Sequence, residues 1–123
     1  LLVYMSPTCG CCSYWVKHME TNGFIVEEHK ISNVNTIKTK AKITTKLASC
    51  HTAFIDGYVI EGHVPSKDVK KLLSEKADIK GLTVPGMPAG SNVPGMEVKK
   101  EPANFDVLAI QHDGSTRIWS HYE

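Results

Sequence analysis

Leu1-Leu2-Val3-Tyr4-Met5-Ser6-Pro7-Thr8-Cys9-Gly10-Cys11-Cys12 opens the chain, and its reading decides the fold. The apolar run Leu1 to Met5 has the character of a buried strand, and Ser6-Pro7-Thr8 breaks it. From Cys12 onward, Tyr14, Trp15, His18 and Met19 recur at helical spacing, which predicts a helix over about Ser13 to Thr21. Asn22-Gly23 supplies the stop signal. Three of the four cysteines therefore sit where a strand gives way to a helix.

Working outward, Phe24-Ile25-Val26 begins a second expected strand that runs to about His29. Ser32 or Asn33 can cap a second helix carrying Val34, Ile37 and Ala41 and reaching toward Leu47. Ala53-Phe54-Ile55 and Tyr58-Val59-Ile60 are β-rich runs separated by Asp56-Gly57, a strong hairpin signal. Glu61-Gly62-His63-Val64 leads to Pro65-Ser66 and a third helix with Val69, Leu72 and Leu73 on one face. The order β-α-β-α-β-β-α is that of a thioredoxin-like α/β domain, a mixed sheet with flanking helices. Gly81 to Glu97 follows as a Gly/Pro-rich loop with an internal echo, Val84-Pro85-Gly86-Met87 and Val93-Pro94-Gly95-Met96. A loop of that length is usually functional or disordered. Phe105 to Ile110 and Thr116 to Trp119, with Asp113-Gly114 between them, predict a C-terminal hairpin added to the sheet edge.

Composition sets the bounds. The 123 residues fit a single domain, 1–123, long enough to bury a core without disulfide staples. Fourteen basic and thirteen acidic residues give a formal charge of +1, and the lysines are dispersed, which argues against nucleic acid as a partner. No apolar run approaches the roughly 20 residues of a membrane span. Because the chain opens directly in a strand-like run, the lack of a targeting segment carries no information on compartment. Three cysteines packed into four positions make a poor staple pattern and point to metal or redox chemistry.

In a thioredoxin-like domain the first βα loop and the loop before the third strand lie side by side. Cys9, Cys11 and Cys12 are on the first of these, and Cys50 and His51 on the second, so four thiols and an imidazole are expected to converge. The helix start directs backbone N–H groups and partial positive charge at the same spot, which favours thiolate. Thiolate, thioether and imidazole together suit Cu(I). Structural zinc sites usually space their cysteines by two to four residues, whereas the adjacent Cys11 and Cys12 are better suited to bridging different ions. Four thiolates would carry four negative charges, which four Cu(I) ions would neutralise.

The strings Ser6 to Cys12, Trp15-Val16-Lys17-His18-Met19, Asn22-Gly23-Phe24, Cys50-His51-Thr52-Ala53, Gly57 to Pro65 and Gly81 to Pro88 resemble the CopG family of bacterial periplasmic copper-resistance proteins. The likeness runs from Tyr4 to the last hairpin. It implies a thioredoxin-like fold, a periplasmic location, and copper held as a multinuclear cluster at the cysteine motif, with a role in handling Cu(I) and Cu(II). Copper ions and other periplasmic copper-handling proteins are the partners it implies.

The expected metal residues are Cys9, Cys11, Cys12, Cys50, His51, His63, Met87 and Met96, the two methionines acting as a lid. Each has a plainer reading. The cysteines could be buried or simply disulfide-bonded, His51 an ordinary loop histidine, His63 a cap for the next helix, and the methionines gap-fillers. His18 reads as a hydrogen-bonded helix-face residue, Met5 and Met19 as core, Trp15 as packing beside the motif, and His29, His112 and His121 as surface residues. The alternative function is a thiol–disulfide oxidoreductase, with Cys9 attacking and Cys12 resolving. Against it, two further thiols nearby invite mispaired disulfides, and Cys50-His51 stands where such enzymes usually carry a proline. A zinc or metal-sensing module is a third option, disfavoured by the cysteine spacing and the absence of a basic DNA-reading helix.

Overall fold

The structure is a computed structural model and describes residues 1–44, 48–49, 51–85, 90–94 and 101–122, with Cys11 described by its backbone alone. In chain order the elements are β1 (Leu2–Met5), α1 (Gly10–Thr21), β2 (Glu27–Lys30), α2 (Val34–Lys40), β3 (His51–Ile55), β4 (Tyr58–Glu61), α3 (Ser66–Glu75), β5 (Gly81–Thr83), β6 (Phe105–Ile110) and β7 (Thr116–Tyr122). The strands join in one sheet of order β2-β1-β3-β4-β5-β6-β7. β1 runs parallel to β2 and antiparallel to β3, and β4 runs parallel to β5. This is the mixed, helix-flanked sheet that the element order predicts.

Local chemistry sets most boundaries. Asn33 caps α2 by accepting the Asn35 amide at 3.1 Å. Asp56 and Gly57 both have positive φ, 48° and 85°, the pairing that a two-residue hairpin turn between twisted strands requires. Several boundaries differ from expectation: β3 starts at His51, which the sequence reading puts on the loop before it, and α2 ends at Lys40 rather than reaching toward Leu47. α1 starts at Gly10 rather than near Ser13, so Cys9 is its N-cap and Cys11 and Cys12 lie in its first turn. β2 starts at Glu27 rather than Phe24, because the Phe24 amide closes the end of α1 by donating to the Met19 carbonyl at 3.1 Å.

β5 was hidden in the Gly/Pro-rich stretch that reads as loop. A Cβ at Gly81 would lie 1.8 Å from the Val59 carbonyl oxygen, so this glycine marks a close approach of two strands rather than a turn. β5 carries the expected C-terminal hairpin: β6 pairs with β5, and β7 with β6.

Strand alternation divides the sheet faces. Val3, Met5, Ala53 and Ile60 join Trp15, Met19, Val69 and Leu72 in the main core beneath α1 and α3. Val59, Ile110, Ile43 and the partly buried Phe54 form a smaller cluster with Ala41 at the end of α2. Met5 and Met19 are fully buried core residues, as the sequence reading expects.

Candidate metal centre

The β1–β3 ladder places Met5, the last residue of β1, opposite His51, the first residue of β3. The cysteine turn leaves β1 four residues after Met5, so it begins at the same end of the sheet as His51. Strand alternation turns His51 toward α1, where its ring lies 4.5 Å from the Trp15 ring. Trp15 is held by its indole N–H, which donates to the Val64 carbonyl at 2.9 Å. Val64 follows His63, whose ring meets His51 edge-on at 5.2 Å. One indole thus ties the cysteine-bearing helix to both histidines.

His51 and His63 are fully buried. Burial, the neighbouring His63 and the Lys38 ammonium all hold the His51 imidazole well below its ordinary pKa, against a hydrogen bond to the Gly62 backbone that favours the proton. His51 is therefore neutral at neutral pH, the form in which imidazole donates to a metal. The Pro94 carbonyl lies 2.5 Å from Nδ1 of His63. A carbonyl can only accept, so Nδ1 carries the hydrogen, and in the neutral ring Nε2 keeps its lone pair.

Cys9 and Cys12 form a disulfide, with Cα atoms 5.4 Å apart. Cys12 is fully buried and Cys9 partly so. The first turn of the helix carries no acidic residue, so no carboxylate there offsets the positive end of the helix dipole beside the sulfurs. Cys50, Met87 and Met96 lie outside the described residues. Among the described residues, no group of three or more His, Cys, Asp and Glu is arranged to hold a metal. The donors that are described, a reducible sulfur pair and two buried imidazoles, are nonetheless the soft and intermediate types that copper takes.

The remaining histidines fall where the sequence places them. His18 Nε2 accepts the Ser66 amide at 3.2 Å, so it caps the start of α3. His29, His112 and His121 are exposed and pair with Glu27, Asp78 and Asp106.

Sequence reasoning missed a buried polar cluster on the opposite face of the sheet. The Glu61 carboxylate, fully buried, accepts the Thr52 hydroxyl at 2.5 Å and the Ser49 amide at 2.7 Å, and it pairs with the Lys38 ammonium. Lys38 also donates to the Thr52 hydroxyl at 2.9 Å. The one available signal was Glu61 itself, a carboxylate in step with Val59 on a strand face that should be apolar.

A family model described as a protein of unknown function, DUF411, matches residues 47–96, the stretch from just before Cys50 to Met96. No curated protein matches the chain. Two solved structures do, both titled copper resistance protein CopG. Form 2 is 38% identical, with 99% of this chain and 96% of that one covered and a TM-score of 0.92. Form 1 is 39% identical, with coverage of 98% and 94% and a TM-score of 0.91. Likeness of that extent, over the sheet, the cysteine turn and the C-terminal hairpin together, means that the chain belongs to the CopG family of copper-resistance proteins.

Proposed function

We propose that this protein binds copper as cargo in copper resistance, outside the cytoplasm, in the periplasm. Cys9, Cys11, Cys12 and Cys50 supply thiolates to a multinuclear copper cluster. His51 and His63 supply imidazoles, and Met87 and Met96 thioethers. The observation that carries this reading is the Met5–His51 register, which sets the cysteine turn and His51 at one end of the sheet. The neutral His51 and the fixed tautomer of His63 support it, as does the kinship with proteins titled copper resistance.

The Cys9–Cys12 disulfide gives the site a redox side. Two electrons and two protons convert it to two thiols, so cluster formation requires the reduced chain. Conversely, two Cu(II) ions can take those electrons from the dithiol, giving two Cu(I), the disulfide and two protons. Interconversion of Cu(I) and Cu(II) is part of this proposal. Elemental analysis before and after anaerobic Cu(I) loading of the reduced protein tests it. More than one copper per chain, retained through gel filtration, is the expected result, and no retained copper would remove the reading.

The same disulfide favours the second reading, a thiol–disulfide oxidoreductase, since the pair occupies a helix start. That reading predicts insulin reduction by the metal-free protein, abolished by Cys9→Ser alone. Copper binding without such turnover decides for the first.

A further inference from the structure

Ser49 and Thr52 bracket two of the proposed copper ligands, Cys50 and His51. Both bracketing residues are tied to one carboxylate. The Ser49 amide donates to Glu61 Oε2 at 2.7 Å, and the Thr52 hydroxyl donates to Oε1 at 2.5 Å. Glu61 faces Thr52 directly in the β3–β4 ladder, so its own place is set by strand pairing. The next residue tightens the hold. The Gly62 amide donates to the His51 carbonyl at 3.1 Å. Gly62 has φ +78°, and a Cβ there would stand 2.6 Å from Ser49 Cβ, so only glycine lets Ser49 lie so close. Lys38 reaches in from α2 to neutralise the carboxylate and to bond the Thr52 hydroxyl.

A lysine–glutamate pair this deep is a poor device for stability, because desolvating two charges offsets most of their attraction. Its geometry serves another end. Every bond it makes converges on the segment before and after Cys50-His51. The geometry points to Glu61, neutralised by Lys38, as a positioning residue of the copper site: it holds Ser49 and Thr52, which flank Cys50-His51 in the sequence, against β4. Glu61 touches no copper itself, being on the opposite sheet face from His51. This inference rests on the proposed ligand role of Cys50.

The test compares two double variants with no buried charge. K38M/E61Q keeps an amide oxygen able to accept from Ser49 and Thr52. K38M/E61M has the same side-chain length and no such acceptor. Cu(I) affinity of the reduced protein is measured by competition with a chromophoric Cu(I) chelator, and folding by circular dichroism. K38M/E61Q is expected within about threefold of wild type, and K38M/E61M weaker by about tenfold or more, the usual scale for losing a ligand-orienting partner. Cys50→Ser, which weakens wild type, is expected to cost little more in K38M/E61M, since the unanchored thiol has already been lost. A merely structural role would leave the cost of Cys50→Ser equal in both backgrounds, and that result overturns the inference. So does wild-type affinity in folded K38M/E61M. Should K38M/E61M fail to fold, T52V removes the Thr52 arm of the clamp together with its bond from Lys38 and leaves the Ser49 arm, and unchanged affinity there is equally fatal. If Cys50→Ser leaves wild-type affinity untouched, the proposed ligand set fails and takes this inference with it, a pattern distinct from failure of the clamp alone.

Discussion

The cysteine turn and the open end of the β3–β4 hairpin lie at the same end of the sheet, and they are built in opposite ways. The turn places its sulfurs by short-range links. Cys9 is an N-cap whose sulfur is tied to Cys12 in the first helical turn, its amide held by the Ser6 carbonyl at 3.1 Å, and the space around Gly10 is open. The hairpin is dense with buried polar groups. His51, Thr52, Glu61 and His63 have no exposed surface, and each takes part in a network of named bonds or ring contacts. The contrast teaches a division of labour. On the proposed function, the sulfurs that exchange disulfide for thiolate sit on a helix start linked mainly to its own first turn. The opposite wall is fixed by interactions that are costly to break singly.

That difference can be broken most severely at Glu61. Glu61→Met alone leaves the Lys38 ammonium buried without its carboxylate, which should cost about 3–5 kcal/mol of stability in urea unfolding. Adding Lys38→Met should recover most of that, since a matched apolar pair is often neutral. If the single variant unfolds at the wild-type midpoint, the hairpin is not the rigid wall described here.

The converse holds on the other side. Cys9→Ser with Cys12→Ser should shift the unfolding midpoint far less, because the disulfide closes a loop of only three-residue separation and short loops constrain the unfolded chain least. On the proposed function, Cu(I) affinity should fall about a hundredfold or more, roughly 2.7 kcal/mol. Chelator competition measures it. Large destabilisation with intact copper binding would invert the comparison.

Trp15 joins the two regions, and its replacement sharpens the contrast. Trp15→Phe keeps an aromatic ring near His51 but removes the donor to the Val64 carbonyl, leaving a buried acceptor unsatisfied at a cost of about 1–3 kcal/mol. Denaturant unfolding should report that loss, with a smaller weakening of Cu(I) binding. An unchanged midpoint would mean that the indole N–H does not bind the two halves together.

What could be read from the chain follows the same line. The strand-turn-helix start, the Asp56-Gly57 hairpin, the Asn33 cap and the place of His51 at the cysteine-turn end of the sheet were legible, because each is local or follows from element order. α1 starts earlier than its apolar periodicity, since periodicity marks the buried face and is silent on a first turn made of Cys and Gly. β5 was missed because Gly81 signals both turns and close strand approach, and only the neighbouring Val59 decides between them. Lys38 and Glu61 lie 23 residues apart with no shared motif, so their pairing is a property of the folded sheet alone. Cys50, Met87 and Met96 lie outside the described residues, and their roles rest on the proposal.

A third polar cluster gives the mildest test and a control. Asp68, buried on α3, accepts the Ser120 hydroxyl at 2.8 Å and the Tyr122 hydroxyl, much as Glu61 accepts from Ser49 and Thr52. It anchors β7 to α3 and brackets no proposed ligand. Burial, followed by the Asp68 carboxylate, pushes the Tyr122 hydroxyl well above its ordinary value of 10.0. The folded chain therefore keeps this proton where the unfolded chain loses it. The contribution is fully present below about pH 10 and drains away as pH rises beyond that. Tyr122→Phe should cost about 1 kcal/mol at pH 7. Its stability should then fall less than that of wild type between pH 9 and pH 11, with Cu(I) affinity unchanged. A buried carboxylate clamp matters to copper, on this view, only where ligands lie between its anchors. Loss of copper binding in Tyr122→Phe would show that any loosening of the sheet weakens the site, and the special place given to Glu61 would go with it.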